Sequence, residues 1–160
     1  MSEKALRIYL TDHLAGSVAA LELLDHLIKL HRESDSERFY RGLRTEIEED
    51  QKVLQSLLEQ VGGRESPVRK AAAWLTEKVG QAKLAFDDPG DNQLRVLEGL
   101  ETLGLGIQGK LLLWRALASV SDSIPAFRAI DLTRLEGKAR GQFERVDTER
   151  LRIARGALAT

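Results

Sequence analysis

Asp50 is the residue of this sequence whose position most demands an explanation. An α-helix turns by roughly 100° per residue, so on a helix carrying Leu43, Ile47 and Leu54 the Asp50 carboxylate lies within about 30° of the apolar axis. Burying an unpaired carboxylate costs several kcal/mol, and Asp50 therefore needs a cation, a metal ion, hydrogen-bond donors or a proton. Glu46 lies one turn earlier and is its nearest helical neighbour. The simplest interpretation is that Asp50 and Glu46 form structural salt bridges with basic side chains.

A second set of polar residues shares one face of a later helix. Glu101 and Gln108 are seven residues apart and lie on the same face as Leu105 and Leu112, inside an apolar arc that covers more than half of the helix circumference. We therefore expect both to be at least half buried, with Glu98 as another carboxylate on the neighbouring flank. An interhelical hydrogen-bond network is the simpler interpretation, and metal binding is the alternative.

His13 and Glu136 are two further side chains that could act as ligands. His13 lies close to the core axis of the first helix, between Leu6 and Ala20, where a hydrogen-bonded core histidine is favoured over a metal ligand. Glu136 is about 65° from the apolar axis of the last helix, whose centre is held by apolar residues such as Ala139. The last helix therefore offers no centrally placed ligand.

Four long helices must position these side chains. Apolar spacing predicts helices over about 2–31, 34–61, 92–120 and 125–155, with a shorter helix over about 66–86. Ser34 and Glu37 have the spacing of a capping box at the start of the second long helix, and two glycines at 62 and 63 end it. Short gaps after the first and third helices predict two antiparallel hairpins in one domain over 1–160.

The connection between the hairpins, residues 63–90, distinguishes two architectures. A helix with extended ends can span about 40 Å, the length of the bundle, and would let the second and third long helices run parallel. A five-helix antiparallel array is the alternative.

Two helix surfaces indicate further contacts. Four glycines crowd the third helix and predict close packing there. A second apolar stripe on the first helix suits the crossover or a homodimer partner. The four glycines are Gly99, Gly104, Gly106 and Gly109. The apolar stripe consists of Ile8, Ala15, Ala19, Leu23 and Leu30.

Charge and composition exclude several classes of function. With 24 basic and 25 acidic residues and no cysteine, the chain has no electrostatic footprint for nucleic acid and no thiolate chemistry. The apolar run at 111–113 is bounded by Lys110 and Arg115, far short of the ~20 residues of a membrane span. We expect a cytoplasmic protein in which Lys78, Lys83 and Lys110 are solvated or snorkelling amines.

Three segments resemble bacterial members of the ferritin-like superfamily that have no assigned function. They are EIEEDQKVLQSLLEQVGG, AAAWLTEKVGQAKL and LEGLETLGLGIQGKLLLWRAL. The resemblance implies a ferritin-like four-helix bundle, in which metal-binding members use inward glutamates and two Glu-x-x-His pairs to hold two irons or manganeses. This chain has no Glu-x-x-His pair, and its three histidines, His13, His26 and His31, all belong to the first predicted helix.

Two functions follow as hypotheses. The first is a non-catalytic binding or structural module with a degenerate metal site, homodimeric and without a cofactor, whose ligand is a small molecule or lipid if it has one. The second is a carboxylate-rich iron or manganese site with oxidase or storage activity. Its ligands would be Asp50, Glu46, Glu101, Glu136 and His13.

Overall fold

The computed structural model describes residues 3–62 and 92–159 of the chain, and every regular element in these ranges is an α-helix. The all-α prediction is therefore confirmed for this part of the molecule. The predicted crossover and its short helix lie outside the described residues. The helices are α1 (Glu3–Leu30), α2 (Asp35–Gly62), α3 (Asn92–Ser119), α4 (Pro125–Arg128) and α5 (Leu132–Leu158).

Helices α1 and α2 pack against each other as an antiparallel pair. The Arg44 Nε donates to Asp25 Oδ1 at 2.6 Å, and the Gln51 Nε2 donates to Ser17 Oγ at 2.9 Å. Residue numbers thus fall along α1 as they rise along α2. The connection of four residues between the helices is typical of antiparallel neighbours.

Helix α2 begins with a local capping arrangement close to the predicted one. The Glu37 backbone N–H donates to Ser34 Oγ at 3.2 Å, as expected of an N-cap serine. The Glu37 carboxylate reaches back to the backbone N–H of Glu33, at 2.6 Å, instead of that of Ser34. Glu33 has a positive φ of 63°, which turns the chain between the two helices.

Helices α3 and α5 form the other closely packed pair. A Cβ added to Gly104 would lie 3.5 Å from Phe143, so this glycine permits close contact as predicted. Among the described residues, a Cβ at Gly106 or at Gly109 would meet nothing within 4 Å, and the prediction of tight packing is wrong for these two glycines. They widen a cavity instead of admitting a neighbouring backbone.

The last predicted helix is not continuous. Helix α4 begins at Pro125 as predicted but ends at Arg128, and α5 begins at Leu132. Asp131 has non-helical backbone angles and its carboxylate accepts the backbone N–H of Arg134 at 2.9 Å. The break arises because this aspartate caps a new helix.

The core lies between the four long helices and is mostly leucine, with Trp114, Tyr40 and Phe127 as its largest fully buried side chains. Phe127, from the short helix α4, is 1% exposed. Within the described ranges, none of the helices has the length and apolar character needed to cross a bilayer.

Candidate functional site

Asp50 lies buried in the middle of the bundle and accepts from two lysines. It is 3% exposed, which confirms the inward position expected from its helical angle. The Lys110 Nζ donates to Asp50 Oδ2 at 2.6 Å, and the Lys138 Nζ donates to Oδ1 at 2.9 Å. The cations come from α3 and α5, so one carboxylate links three helices.

Gln142 completes this centre from α5 and is fully buried. Its amide Nε2 donates to Asp50 Oδ2 at 3.2 Å and to Glu46 Oε2 at 3.1 Å, while its Oε1 accepts from the Lys110 ammonium. Both ends of the amide are therefore used, as a buried polar group requires. Gln142 joins Asp50 and Glu46, the two acidic residues singled out on α2.

Arg145 closes the network at its outer side. Its two terminal nitrogens donate to the two oxygens of Glu46 at 3.0 and 2.7 Å, a bidentate geometry that lowers the pKa of Glu46. Lys138 also contacts Glu49, with its Nζ 3.1 Å from Oε2. We call this cluster the central network. Its members are Glu46, Glu49, Asp50, Lys110, Lys138, Gln142 and Arg145. The network contains as many acidic as basic side chains.

Lys110 does not behave as the sequence predicted. Its side chain is only 15% exposed, so the expectation of a solvated amine is wrong. Burial lowers the pKa of Lys110, and the Asp50 carboxylate partly opposes this effect. Such an amine remains charged in the core only with a carboxylate beside it, which Asp50 supplies.

The donors around Asp50 do not fit a pair of divalent metal ions. Both carboxylate oxygens already accept from ammonium groups, and a carboxylate bound in this way has its negative charge compensated. Within residues 3–62 and 92–159, no three His, Asp or Glu side chains are grouped to hold a metal ion. The arrangement instead suits an internal ion-pair network that fixes the positions of α2, α3 and α5.

The structure places the other predicted metal ligands in separate surroundings. Glu101 is exposed and lies 3.5 Å from Arg150, contrary to the expected half burial. Glu136 bonds to Arg140 on its own helix and lies 3.9 Å from Arg115. His13 is partly buried and packs edge-on against Tyr9, with ring centroids 4.7 Å apart; burial lowers its pKa.

The face of α3 that carries Glu101 points to solvent. Leu105 is 76% exposed and Leu112 is 59% exposed, although both were expected inside the apolar arc. Apolar residues surround most of α3, so periodicity alone did not indicate which side of this helix is buried. Gln108, on the same face, is partly buried as predicted.

Four residues of the central network, Glu49, Lys138, Gln142 and Arg145, were not predicted, although the sequence carries a signal for two of them. Gln142 continues the spacing of Leu135, Ala139 and Val146, and it therefore lies on the apolar stripe of α5. Lys138 lies beside that stripe and is only partly exposed. A polar residue on such a stripe is a signal of a buried polar network.

Glu149 forms a second polar cluster between α2 and α5. Its Oε1 accepts from Ser36 Oγ at 2.9 Å, from the Tyr40 hydroxyl at 3.2 Å and from Arg152 at 2.7 Å. The Arg152 hydrogen bonds are the main cause that lowers the pKa of Glu149. Burial, followed by the Glu149 charge, raises the pKa of the fully buried Tyr40, whose hydroxyl remains a donor.

We expect Glu149→Gln to reduce the acid sensitivity of the fold. Because the folded-state pKa of Glu149 is lowered, its contribution is present above the unfolded pKa and is lost as the pH falls through the folded one. The variant should lose about 1–3 kcal/mol of unfolding free energy at pH 7, and the difference from wild type should narrow below about pH 4. Urea unfolding at several pH values measures this. Glu144→Gln, at an exposed position of the same helix, is the control and should follow wild type.

A cavity of about 200 Å³ lies between α1, α2 and α3, next to the central network. We call it the α1–α3 cavity. Asp12, Gly16 and Gly106 are exposed and form its rim, which opens to solvent. Its other lining residues are His13, Ser17, Ala20, Ile47, Asp50, Gln51, Leu54, Ile107, Gly109, Lys110, Leu113 and Trp114.

Trp114, one of the lining residues, has a buried polar atom without a hydrogen bond. Its side chain is 1% exposed, and its indole Nε1 is buried with no hydrogen-bond partner among the residues that the structure describes. A buried donor left unpaired costs about 1–3 kcal/mol. By contrast, Ser17 and Gln51 bond to each other, and Asp50 bonds to Lys110.

Comparisons with protein-family models, with curated proteins and with solved structures found no match to this chain. The class that the fold and the site define is an all-α helical protein with a buried, charge-balanced polar network.

Proposed function

We propose that this protein is a non-catalytic binding or structural module of ferritin-like architecture. The observation that carries the proposal is the pairing of Asp50 with Lys110 and Lys138 at the bundle centre. Each oxygen of the one buried carboxylate among the described residues accepts from an ammonium group. An ion pair of this kind holds helices in place and leaves no free base or nucleophile on Asp50.

The ferritin-like connectivity is supported by the directions of the described helices. Along the α2–α5 contact, Glu46 pairs with Arg145 and Asp50 pairs with Lys138, so these helices are antiparallel. Along the α3–α5 contact, Glu101 lies near Arg150 and Lys110 bonds to Gln142, again antiparallel. Helices α2 and α3 would then run in the same direction, which requires a connection that crosses the length of the bundle.

The charge balance of the central network favours this function over the metal-binding alternative. Lys110 and Lys138 hold their charge next to Asp50, so a divalent ion there would have to displace an ammonium group. The iron or manganese site with oxidase or storage activity remains a prediction. Its proposed ligands were Asp50, Glu46, Glu101, Glu136 and His13.

Metal analysis of the purified protein tests the proposal. We expect less than about 0.1 equivalent of iron, manganese or zinc, and no saturable heat on titration with Fe²⁺ or Mn²⁺ under anaerobic conditions, because cations already occupy the Asp50 oxygens. Stoichiometric metal that is lost in Asp50→Ala and retained in Glu144→Ala would overturn the proposal. Glu144 is the control because it is an exposed carboxylate of α5 that belongs to neither the central network nor the predicted metal ligands.

A homodimer remains part of the proposal. Leu105 and Leu112 expose one apolar stripe on α3, and Ile8 and Leu30 of the second α1 stripe are 53% and 45% exposed. Exposed apolar area of this kind is common where copies of a chain meet. Ala15, from the same α1 stripe, is already buried against Val18 and Ala19.

A further inference from the structure

We propose that two copies of this chain associate through the exposed leucines of α3, with the two α3 helices antiparallel and related by a two-fold axis. We call this surface the α3 stripe, and its members are Leu105, Gly109 and Leu112. The inference deepens the homodimer of the proposed function by naming its interface, and it rests on that function. It does not depend on the metal content of the protein.

The α3 stripe exposes two large apolar side chains close together on one face. Leu105 and Leu112 are both exposed, and they are seven residues apart. Seven residues return a helix to within about 20° of the same direction and advance it by about 10 Å. Gly109 lies between them, and a Cβ there would meet no described atom within 4 Å. The stripe is therefore two leucines with a gap between them, against which the apolar side chains of a facing helix can pack.

The α3 stripe is complementary to itself. A second α3 can lie antiparallel along the stripe, with the two-fold axis level with the midpoint between the two leucines. Leu112 of the second copy then lies opposite Leu105. Leu105 of the second copy lies opposite Leu112, because every contact across a two-fold axis occurs twice. One register therefore covers both leucines of each copy.

The charges beside the α3 stripe favour the antiparallel arrangement. At 1.5 Å per residue, Glu101 lies about 11 Å before the midpoint of the stripe and Arg115 lies about 10 Å after it. Both turn to the same side of the stripe, where they approach Arg150 and Glu136 of α5. The two-fold axis therefore brings Glu101 of each copy against Arg115 of the other. A parallel pair would place like charges together, which is unfavourable at an interface.

The side chains of Glu101 and Arg115 remain accessible to a second copy. Their contacts within the chain measure 3.5 Å to Arg150 and 3.9 Å to Glu136. These distances are longer than the roughly 2.7–2.9 Å of a charge-assisted hydrogen bond. Glu101 is 50% exposed and Arg115 is 58% exposed, so an opposite charge from outside can approach each of them.

The second apolar stripe of α1 is less suited to this contact. Ile8 and Leu30 are its exposed large members, and they are 22 residues apart, or about 33 Å along the helix. Between them Ala15 is buried, and Leu23 is partly buried. The exposed apolar area of α1 is therefore divided between its two ends, whereas that of the α3 stripe lies within two helical turns.

Sedimentation velocity of the full chain over a range of concentrations tests the interface. We expect a wild-type dimer with a dissociation constant in the micromolar range, as is typical of a small interface. Leu105→Glu should raise this constant more than about tenfold, because it places a charge in the apolar contact. Ile8→Glu, at an exposed apolar residue of α1, is the matched control and should dimerise as wild type does. Circular dichroism checks that both variants are folded.

A charge exchange tests the antiparallel arrangement. Glu101→Arg and Arg115→Glu should each weaken the dimer, because each homodimer then carries two pairs of like charges. In an equimolar mixture of the two variants, the heterodimer has opposite charges at both contacts. We expect native mass spectrometry to show the heterodimer in excess, with a dissociation constant about tenfold lower than that of either variant alone.

Three outcomes would overturn the inference. The first is a wild-type protein that stays monomeric at every concentration, and the second is a dimer that a folded Leu105→Glu variant retains. The third is a mixture of the charge variants that forms no excess of heterodimer. Stoichiometric metal in the purified protein would contradict the proposed function but would leave the dimer results standing, so the two failures can be told apart.

Discussion

Asp50→Asn should lower the free energy of unfolding by about 3–5 kcal/mol, because it leaves the Lys110 ammonium buried beside a neutral amide. Lys110→Met should cost less, since Lys138 still compensates the Asp50 carboxylate. In the double variant, both charges of the pair are gone, and we expect most of the Asp50→Asn loss to be recovered. Urea unfolding of the wild type, both single variants and the double variant gives the coupling energy directly.

The coupling energy decides whether Asp50 and Lys110 are paired. If the losses of unfolding free energy in the two single variants added up in the double variant, Asp50 and Lys110 would not form a pair in the folded protein. Arg150→Met is a suitable control for loss of a less buried cation, because its partners Asp147 and Glu101 are 38% and 50% exposed. That variant should change the free energy of unfolding by less than about 1 kcal/mol.

Phe127→Ala should lower the free energy of unfolding by about 3–5 kcal/mol, because it empties a fully buried site in the core. Phe127 belongs to α4, the four-residue helix that contacts α2. The loss can be measured by thermal and urea unfolding. Leu158→Ala, at a residue that is 67% exposed and outside the proposed dimer surface, is the control and should stay within about 0.5 kcal/mol of wild type.

A small effect of Phe127→Ala would contradict the docking of α4. The short helix could then detach without loss of the core, and the chain between α3 and α5 would be an ordinary surface loop. A full effect would instead show that residues 125–128 belong to the cooperative unit.

The sequence predicted the helices well wherever local signals agreed with one another. The bounds of α1, α2 and α3 are within about two residues of those expected from apolar spacing, caps and glycines. The division between α4 and α5 was missed because the periodic apolar residues run through it. Asp131 carried the signal, since an aspartate that precedes an apolar helical run is a typical N-cap.

The candidate site was predicted only in part because its partners are distant in sequence. The helical angle of Asp50 required a buried partner, and this requirement is met. Lys110 follows Asp50 by 60 residues and Lys138 follows it by 88, and no local pattern relates such positions. The sequence also did not indicate which side of α3 is buried. Apolar residues surround this helix, and nothing in the pattern distinguishes the exposed Leu105 from the buried leucines.

The contact between α2 and α5 has a consequence for the alignment of these two helices. Ser36 and Tyr40 meet Glu149, Glu46 meets Arg145, and Asp50 meets Lys138, so the contacts advance along α2 as they go back along α5. Sliding one helix by a single turn, about 5.4 Å, would separate all of these pairs at once. Polar pairs are more directional than contacts between leucines, so these pairs fix one register of α2 against α5.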